Sequence, residues 1–270
     1  MNGETAQYEP PVHTFIRSYV HTLRVIHSPP LDGPTNMARD EAILTLVGRG
    51  ESPPTLRFYR WDPPTISLGY FQEYADYARL PPPAGSLAVV RRQTGGGAIL
   101  HDQELTYSIV LPMDHPRVAH GRCNLLYEHV HAIFAALLAR CGVPVTRGCV
   151  DVTGVGRAAP SHRGPFFCFE RHCGVDLLAG ERKLMGSAQR RTADAILQHG
   201  SLVLDCRFDQ WSCATVRQFA PDLRIDDHLP AIARAIAGGE AAPGTFSPAE
   251  LGLAASLRTK YAGTEWTRRR

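Results

Sequence analysis

Of the 29 basic residues in this 270-residue chain, only Lys183 and Lys260 are lysines, and the rest are arginines. Arginine stays protonated under ordinary conditions, whereas a partly buried lysine can lose its proton or act as a compact charge beside one reacting atom. Lys183 lies in Lys183-Leu184-Met185-Gly186-Ser187-Ala188-Gln189, 15 positions after Cys168. A thiol with an ammonium nearby is held towards the thiolate, the form that attacks a carbonyl carbon. The flanking Phe167 and Phe169 suit an inert, buried thiol equally well. Cys173 is a competing nucleophile. A metal set of Cys168, His172 and Cys173 lacks the paired Cys-x-x-Cys spacing that would support it, so no metal is expected.

A second stretch with chemical potential is Arg91-Arg92-Gln93-Thr94-Gly95-Gly96-Gly97-Ala98-Ile99-Leu100-His101-Asp102. Glycines let a backbone approach a ligand and aim N–H groups at it, and the arginines could meet a phosphate or carboxylate. A glycine bulge at a bend in a sheet accounts for the same residues. Neither a phosphate-binding Walker loop nor a dinucleotide fingerprint fits, because no Lys-Ser/Thr and no helix follows.

These residues must be positioned by a folded core, and the chain is long enough to bury one. A hydrophobic content of 44% with 20% charged residues is that of a globular protein, and no apolar run approaches bilayer length. The opening ten residues carry no apolar stretch, which predicts a cytoplasmic location. Seven irregularly spaced cysteines predict free thiols. A net charge of +3 gives no reason to expect nucleic acid.

The patterning predicts strands over 23–26, 56–59, 65–70, 87–92 and 105–111, with a strand resuming after the glycines. Helices are expected over 36–47 and 124–141, the latter stopped by Gly142. A loop covers 147–163, and a hairpin joins 175–178 to 183–187. A strand over 196–204 is expected to close the sheet, broken at Gly200. Ser247, Pro248 and Glu250 form a capping signature for a helix to about Tyr261. Short links between strands favour antiparallel or mixed pairing, and hence an α+β fold.

Taken in order, the residues resemble the lipoate–protein ligase/biotin ligase superfamily, and within it the cysteine-dependent octanoyltransferases. The resemblance covers about 31–205. It rests on Asn36-Met37-Ala38-Arg39-Asp40-Glu41, Ser67-Leu68-Gly69-Tyr70, the 91–102 loop, Lys183 to Arg190, and Gln198-His199-Gly200-Ser201. It implies an α+β catalytic domain over 23–266, between an extension over 1–22 and a tail over 267–270. It implies acyl transfer from octanoyl-acyl carrier protein through a Cys168 thioester to a lysine of a lipoyl domain, such as the glycine-cleavage H protein. Lys183 would be the second catalytic residue. Gly95, Gly96 and Gly97 would wall the acyl channel, with Arg92 and His101 holding that wall in place. No cofactor is then needed. Gly97 is where such transferases often carry a larger residue, which leaves open an ATP- and Mg-dependent lipoate or octanoate ligase. A catalytically inactive binding protein of the same fold is a third reading.

Overall fold

The computed structural model describes residues 22–148, 165–170 and 173–270. The expected extension before Thr22, most of the loop over 147–163, and His172 lie outside the described residues.

In chain order the elements are β1 (Leu23–His27), α1 (Gly33–Gly48), β2 (Thr55–Tyr59), β3 (Thr65–Leu68), α2 (Tyr74–Ala78), β4 (Ala88–Arg91), β5 (Ile99–His101) and β6 (Glu104–Pro112). There follow α3 (Cys123–Arg140), β7 (Val145–Arg147), β8 (Leu177–Ala179), β9 (Arg182–Arg191) and β10 (Ala195–Val203). The last are α4 (Leu229–Ala237), β11 (Ala241–Pro243), α5 (Pro248–Ala262) and α6 (Thr264–Thr267). Eight strands form one sheet in the order β11-β1-β2-β6-β10-β9-β8-β7, and β4-β3-β5 form a smaller one. β1 runs parallel to β2 and β11, while β2-β6, β6-β10 and β10-β9 are antiparallel, so the fold is α+β with mixed pairing.

One apolar core joins the large sheet to α3 and α4 through Tyr107, Ile109, Val130, Phe134 and Ile232. On another cluster, Ile43, Leu44 and Val47 of α1 meet Val110 and Leu197. The small sheet has its own cluster, in which Ile66, Leu68 and Leu100 join Phe167, Phe169 and Trp211. A fourth group packs α5 on α1 through Met37, Ala38, Ala254 and Tyr261.

Several boundaries differ from the sequence expectation for physical reasons. α1 begins at Gly33 because Asp32 caps it, accepting from the Thr35 N–H at 2.7 Å, and Pro34 is tolerated in the first turn. β10 does not close the sheet: it lies in the middle, between β6 and β9, and runs unbroken through Gly200. A Cβ at Gly200 would lie 2.5 Å from the Tyr107 ring, so this glycine makes room for a neighbouring strand's side chain. Nor are residues 267–270 a detached tail, since Arg91 donates to the Thr267 carbonyl and the Tyr74 N–H to the Arg270 carbonyl. The short α4 and β11 have no counterpart in the sequence reading.

The capping box at Ser247 and Glu250 is present as expected. Glu250 is also buried against Arg24 and Ser52, tying α5 to β1. Ser247→Ala should lower stability by about 1 kcal/mol without changing the dependence on denaturant concentration, which urea titration measures.

Among the described residues no helix is long and apolar enough to cross a membrane.

Candidate active site

The glycine loop connects β4 of the small sheet to β5. Its main chain is fastened to β3 by Arg92 N–H to Leu68 O at 3.0 Å and Tyr70 N–H to Thr94 O at 2.8 Å. Arg92 is buried, and its guanidinium donates to the carbonyls of Ser67, Gly95 and Gly97, each at 2.7 Å. It therefore clips both sides of the turn to the strand beneath. Arg91 is used similarly, donating to the carbonyls of Gly69, Gln72 and Thr267. Gly96 has φ +93°, and its carbonyl oxygen would sit 1.9 Å from a Cβ at Gly69. Two glycines are needed where these segments cross. His101 is buried, stacks on Trp61 at 3.8 Å between ring centroids, and has Nε2 2.8 Å from Ser67 Oγ. Burial lowers its pKa, with Glu104 acting in the opposite direction, so the ring is neutral at pH 7.

The segment carrying Cys168 lies directly against this loop. Ala98 N–H donates to Phe166 O at 2.9 Å, and Cys168 N–H donates back to Ala98 O at 2.8 Å. Phe167 and Phe169 are anchored in the small-sheet core, and the intervening Cys168 is half-buried. A Cβ at Gly97 would fall 2.9 Å from the Cys168 backbone nitrogen. The absence of a larger residue at this position thus has a structural reason in this chain: the cysteine segment occupies that space.

Lys183 comes from the large sheet. Its Nζ lies 3.6 Å from Cys168 Sγ and 2.8 Å from Asp176 Oδ2. The pairing of β8 with β9 slips between Leu177↔Met185 and Leu178↔Lys183, leaving Leu184 as an extra residue. A one-residue slip turns a side chain to the opposite face of a sheet. Lys183 is consequently folded over Gly186, where a Cβ would meet its Nζ at 2.7 Å. Burial acts to lower the Lys183 pKa, but the charges of Cys168 and Asp176 outweigh it and the net shift is upward. The lysine is charged at neutral pH. Arg92 is the second cation at the site: burial brings it down to about 10, opposed by the Cys168 charge. Cys173, by contrast, is pushed up by partial desolvation of its thiol and by the Asp176 carboxylate.

The structure thus brings Cys168, Lys183, Arg92 and Gly95–Gly97 to one place, with His101 further along the wall. Among the described residues no group of three metal-ligating side chains is present. Asp176 was not singled out in the sequence, although it is the acidic residue that leads into β8, whose hairpin partner β9 carries Lys183. His199 was left as an ordinary histidine, yet it joins Thr94 Oγ1 at 2.7 Å and faces Asp40 at 3.5 Å. Asp40 also pairs with the buried Arg57 at 2.9 Å, so the glycine loop is braced from the core. Nothing in the spacing of these residues announced that link.

Between the two sheets, beside Arg92, is a narrow cavity of about 20 Å³ lined by Met37, Trp61, Ile99, His101, Ala188 and Gly200. Its volume is enough for about one water.

Comparison with solved structures shows the same architecture in the putative lipoate protein ligase of T. acidophilum, at a TM-score of 0.70 and 25% identity over 92% of this chain and 98% of that one. Lipoate-protein ligase A bound with ATP superimposes at 0.71 with 24% identity. Fold and glycine loop together define a lipoate ligase-like catalytic domain. The chain belongs to the family described as the lipoyl protein ligase A/B catalytic domain, whose model matches residues 32–221. Octanoyltransferase LipM of Moorella thermoacetica is 34% identical over 275 residues, spanning 92% of this chain and 98% of that protein. Octanoyltransferase LipM of Brevibacillus brevis is 35% identical over 266 residues, spanning 87% and 94%.

Proposed function

We propose that this protein is an octanoyltransferase that carries the acyl group on Cys168. The observation that carries the reading is the 3.6 Å approach of Lys183 Nζ to Cys168 Sγ beneath the glycine loop. The near full-length similarity to octanoyltransferases supports it.

In the first step the Cys168 thiolate attacks the carbonyl carbon of an octanoyl thioester on acyl carrier protein. The carrier thiol leaves, and the octanoyl group remains on Cys168. In the second step a lipoyl-domain lysine amine attacks that thioester, forming the amide and releasing the Cys168 thiolate. A charged ammonium beside sulfur stabilises the thiolate at the beginning and end of the cycle. An ammonium beside that sulfur can also stabilise an oxyanion developing on the transferring carbonyl. Arg92 fixes the glycine wall, and His101 holds that wall through Ser67. Both carbonyl donors are already activated thioesters, so the reaction needs no ATP.

Asp176 restrains the lysine ammonium. Asp176→Asn removes a charge-assisted hydrogen bond worth about 1.5–3 kcal/mol, so transfer should slow roughly 10–100-fold. Circular dichroism should be unchanged, which separates this loss of positioning from unfolding.

The three-glycine loop favours a second reading, a ligase acting through an acyl-adenylate. The two separate cleanly when the protein is mixed with octanoyl-acyl carrier protein and an apo lipoyl domain, or with free octanoate and ATP. Octanoylation from the carrier protein without ATP is expected. Modification only from free octanoate and ATP would establish the ligase, and none under either condition would leave a binding protein.

A further inference from the structure

Asp176 places the Lys183 ammonium, and the turn that carries Asp176 is held in its turn by a histidine of α3. His131 is 1% exposed, on a helix anchored in the main core by Val130 and Phe134. Its Nδ1 hydrogen-bonds the Val175 carbonyl, and its Nε2 lies 2.6 Å from Ser187 Oγ. The Val175 carbonyl and the Asp176 N–H belong to one peptide unit, and that N–H donates to the Cys173 carbonyl at 2.9 Å. The peptide plane is thus held at both ends. A swing of that plane would carry the Asp176 side chain with it, and Asp176 Oδ2 is 2.8 Å from Lys183 Nζ. The Cys173 tether lies within the turn itself, at an exposed residue, whereas the His131 tether comes from the packed core.

The hydrogen bonds also fix where the ring proton sits. A carbonyl can only accept, so Nδ1 carries the proton, and Nε2 of the neutral ring accepts from the Ser187 hydroxyl. Ser187 Oγ then accepts from Tyr107 OH at 2.7 Å, and the Tyr107 oxygen accepts from Gln198 Nε2 at 2.7 Å. The far end of the chain assigns the same direction. Gln189 Nε2 donates to the Cys123 carbonyl at 2.8 Å and to Gln198 Oε1 at 2.9 Å, which leaves Gln198 its N–H groups for Tyr107. Burial brings the ring down to about 4, opposed by the Val175 carbonyl and the Asp176 carboxylate, so it is neutral at pH 7.

We propose that His131 is a positioning residue for acyl transfer: its Nδ1–H fixes the Val175–Asp176 peptide, and through Asp176 the Lys183 ammonium beside Cys168. The inference rests on the reading of Cys168 as the acyl carrier. His131 acts through Asp176 and not on the reacting atoms. Gln198, Tyr107 and Ser187 keep its proton on the nitrogen that faces Val175.

Two amide variants divide the functions of the ring. His131→Asn sets an amide N–H near the place of Nδ1–H and keeps the donor to Val175. His131→Gln reaches the place of Nε2 and keeps only the contact with Ser187. With octanoyl-acyl carrier protein as donor, His131→Gln should lower kcat roughly tenfold at unchanged KM, and His131→Asn should stay within about twofold of the wild type. Because the effect passes through Asp176, adding His131→Gln to Asp176→Asn should cost nothing beyond Asp176→Asn alone. Long-range proton–nitrogen NMR spectra of the wild type, with the His131 signals identified by their loss in His131→Asn, should show the proton on Nδ1. That measurement stands even if the Gln variant does not fold. The proposal is overturned if His131→Asn loses as much as His131→Gln, if the losses from His131→Gln and Asp176→Asn multiply, or if the proton resides on Nε2. Failure of the transferase reading looks different: the wild type itself would act only with octanoate and ATP, and the same variants are then compared in that assay.

Discussion

Cys168→Ser is expected to abolish octanoyl transfer, whereas Cys173→Ser should retain most of it. Both thiols lie near Lys183, only five residues apart, but the structure distinguishes them. Cys168 has the lysine ammonium 3.6 Å from its sulfur and is backed by the cationic Arg92. The Cys173 thiol is raised by desolvation and by the neighbouring Asp176 carboxylate, which disfavours its nucleophilic form. A serine at 168 is almost isosteric but stays protonated at neutral pH, and Lys183 is not a base aligned to remove its proton. Intact-mass spectrometry of the wild type mixed with octanoyl-acyl carrier protein should show one octanoyl adduct, removed by hydroxylamine and mapping to Cys168. An adduct on Cys173, or ATP-dependent modification without any adduct, would refute the assignment.

Lys183→Arg should be nearly as harmful as Lys183→Ala. Retained charge is insufficient because the lysine lies folded over Gly186, close to Asp176 and to the face of Phe169 at 5.3 Å. The broad, planar guanidinium cannot occupy that slot as a point charge. Removing one electrostatic contact to a developing oxyanion costs on the order of 10²–10³ in rate, and the transfer rate should fall by that amount in both variants. Cys168 alkylation at neutral pH should also slow. The pH dependence has a definite sign. The folded pKa of Lys183 is raised, so its contribution to stability and rate is complete below the ordinary lysine value of about 10.4 and disappears only as pH rises through the folded value. Any loss of activity between pH 5 and 9 must therefore arise elsewhere. A Lys183→Arg enzyme with near-normal rate would reduce Lys183 to a structural cation.

Much of this molecule was legible in the chain itself. Periodicity and turn residues located β1, β2, β4, β6, α1, α3 and the capped α5 to within a few residues, because each obeys a local rule. The residue types Cys168 and Lys183, and the glycine loop with Arg91 and Arg92, could be picked out because so few side chains suit covalent acyl chemistry. Their order along the chain carried the resemblance that the family match then established.

What the sequence could not determine depends on long-range pairing. Sheet order placed β10 at the centre, since its flanks are set by β6 and β9 rather than by its own pattern. The two arginines, open to a phosphate or carboxylate on local grounds, are instead committed to backbone carbonyls that only the crossing of β3 and the loop brings near. Asp176 became the partner of Lys183, and Lys183 that of Cys168, through a one-residue slip between β8 and β9 that no spacing predicts. Residue chemistry is written in the chain, but the face on which a side chain emerges is fixed by register, and register is a property of the assembled sheet.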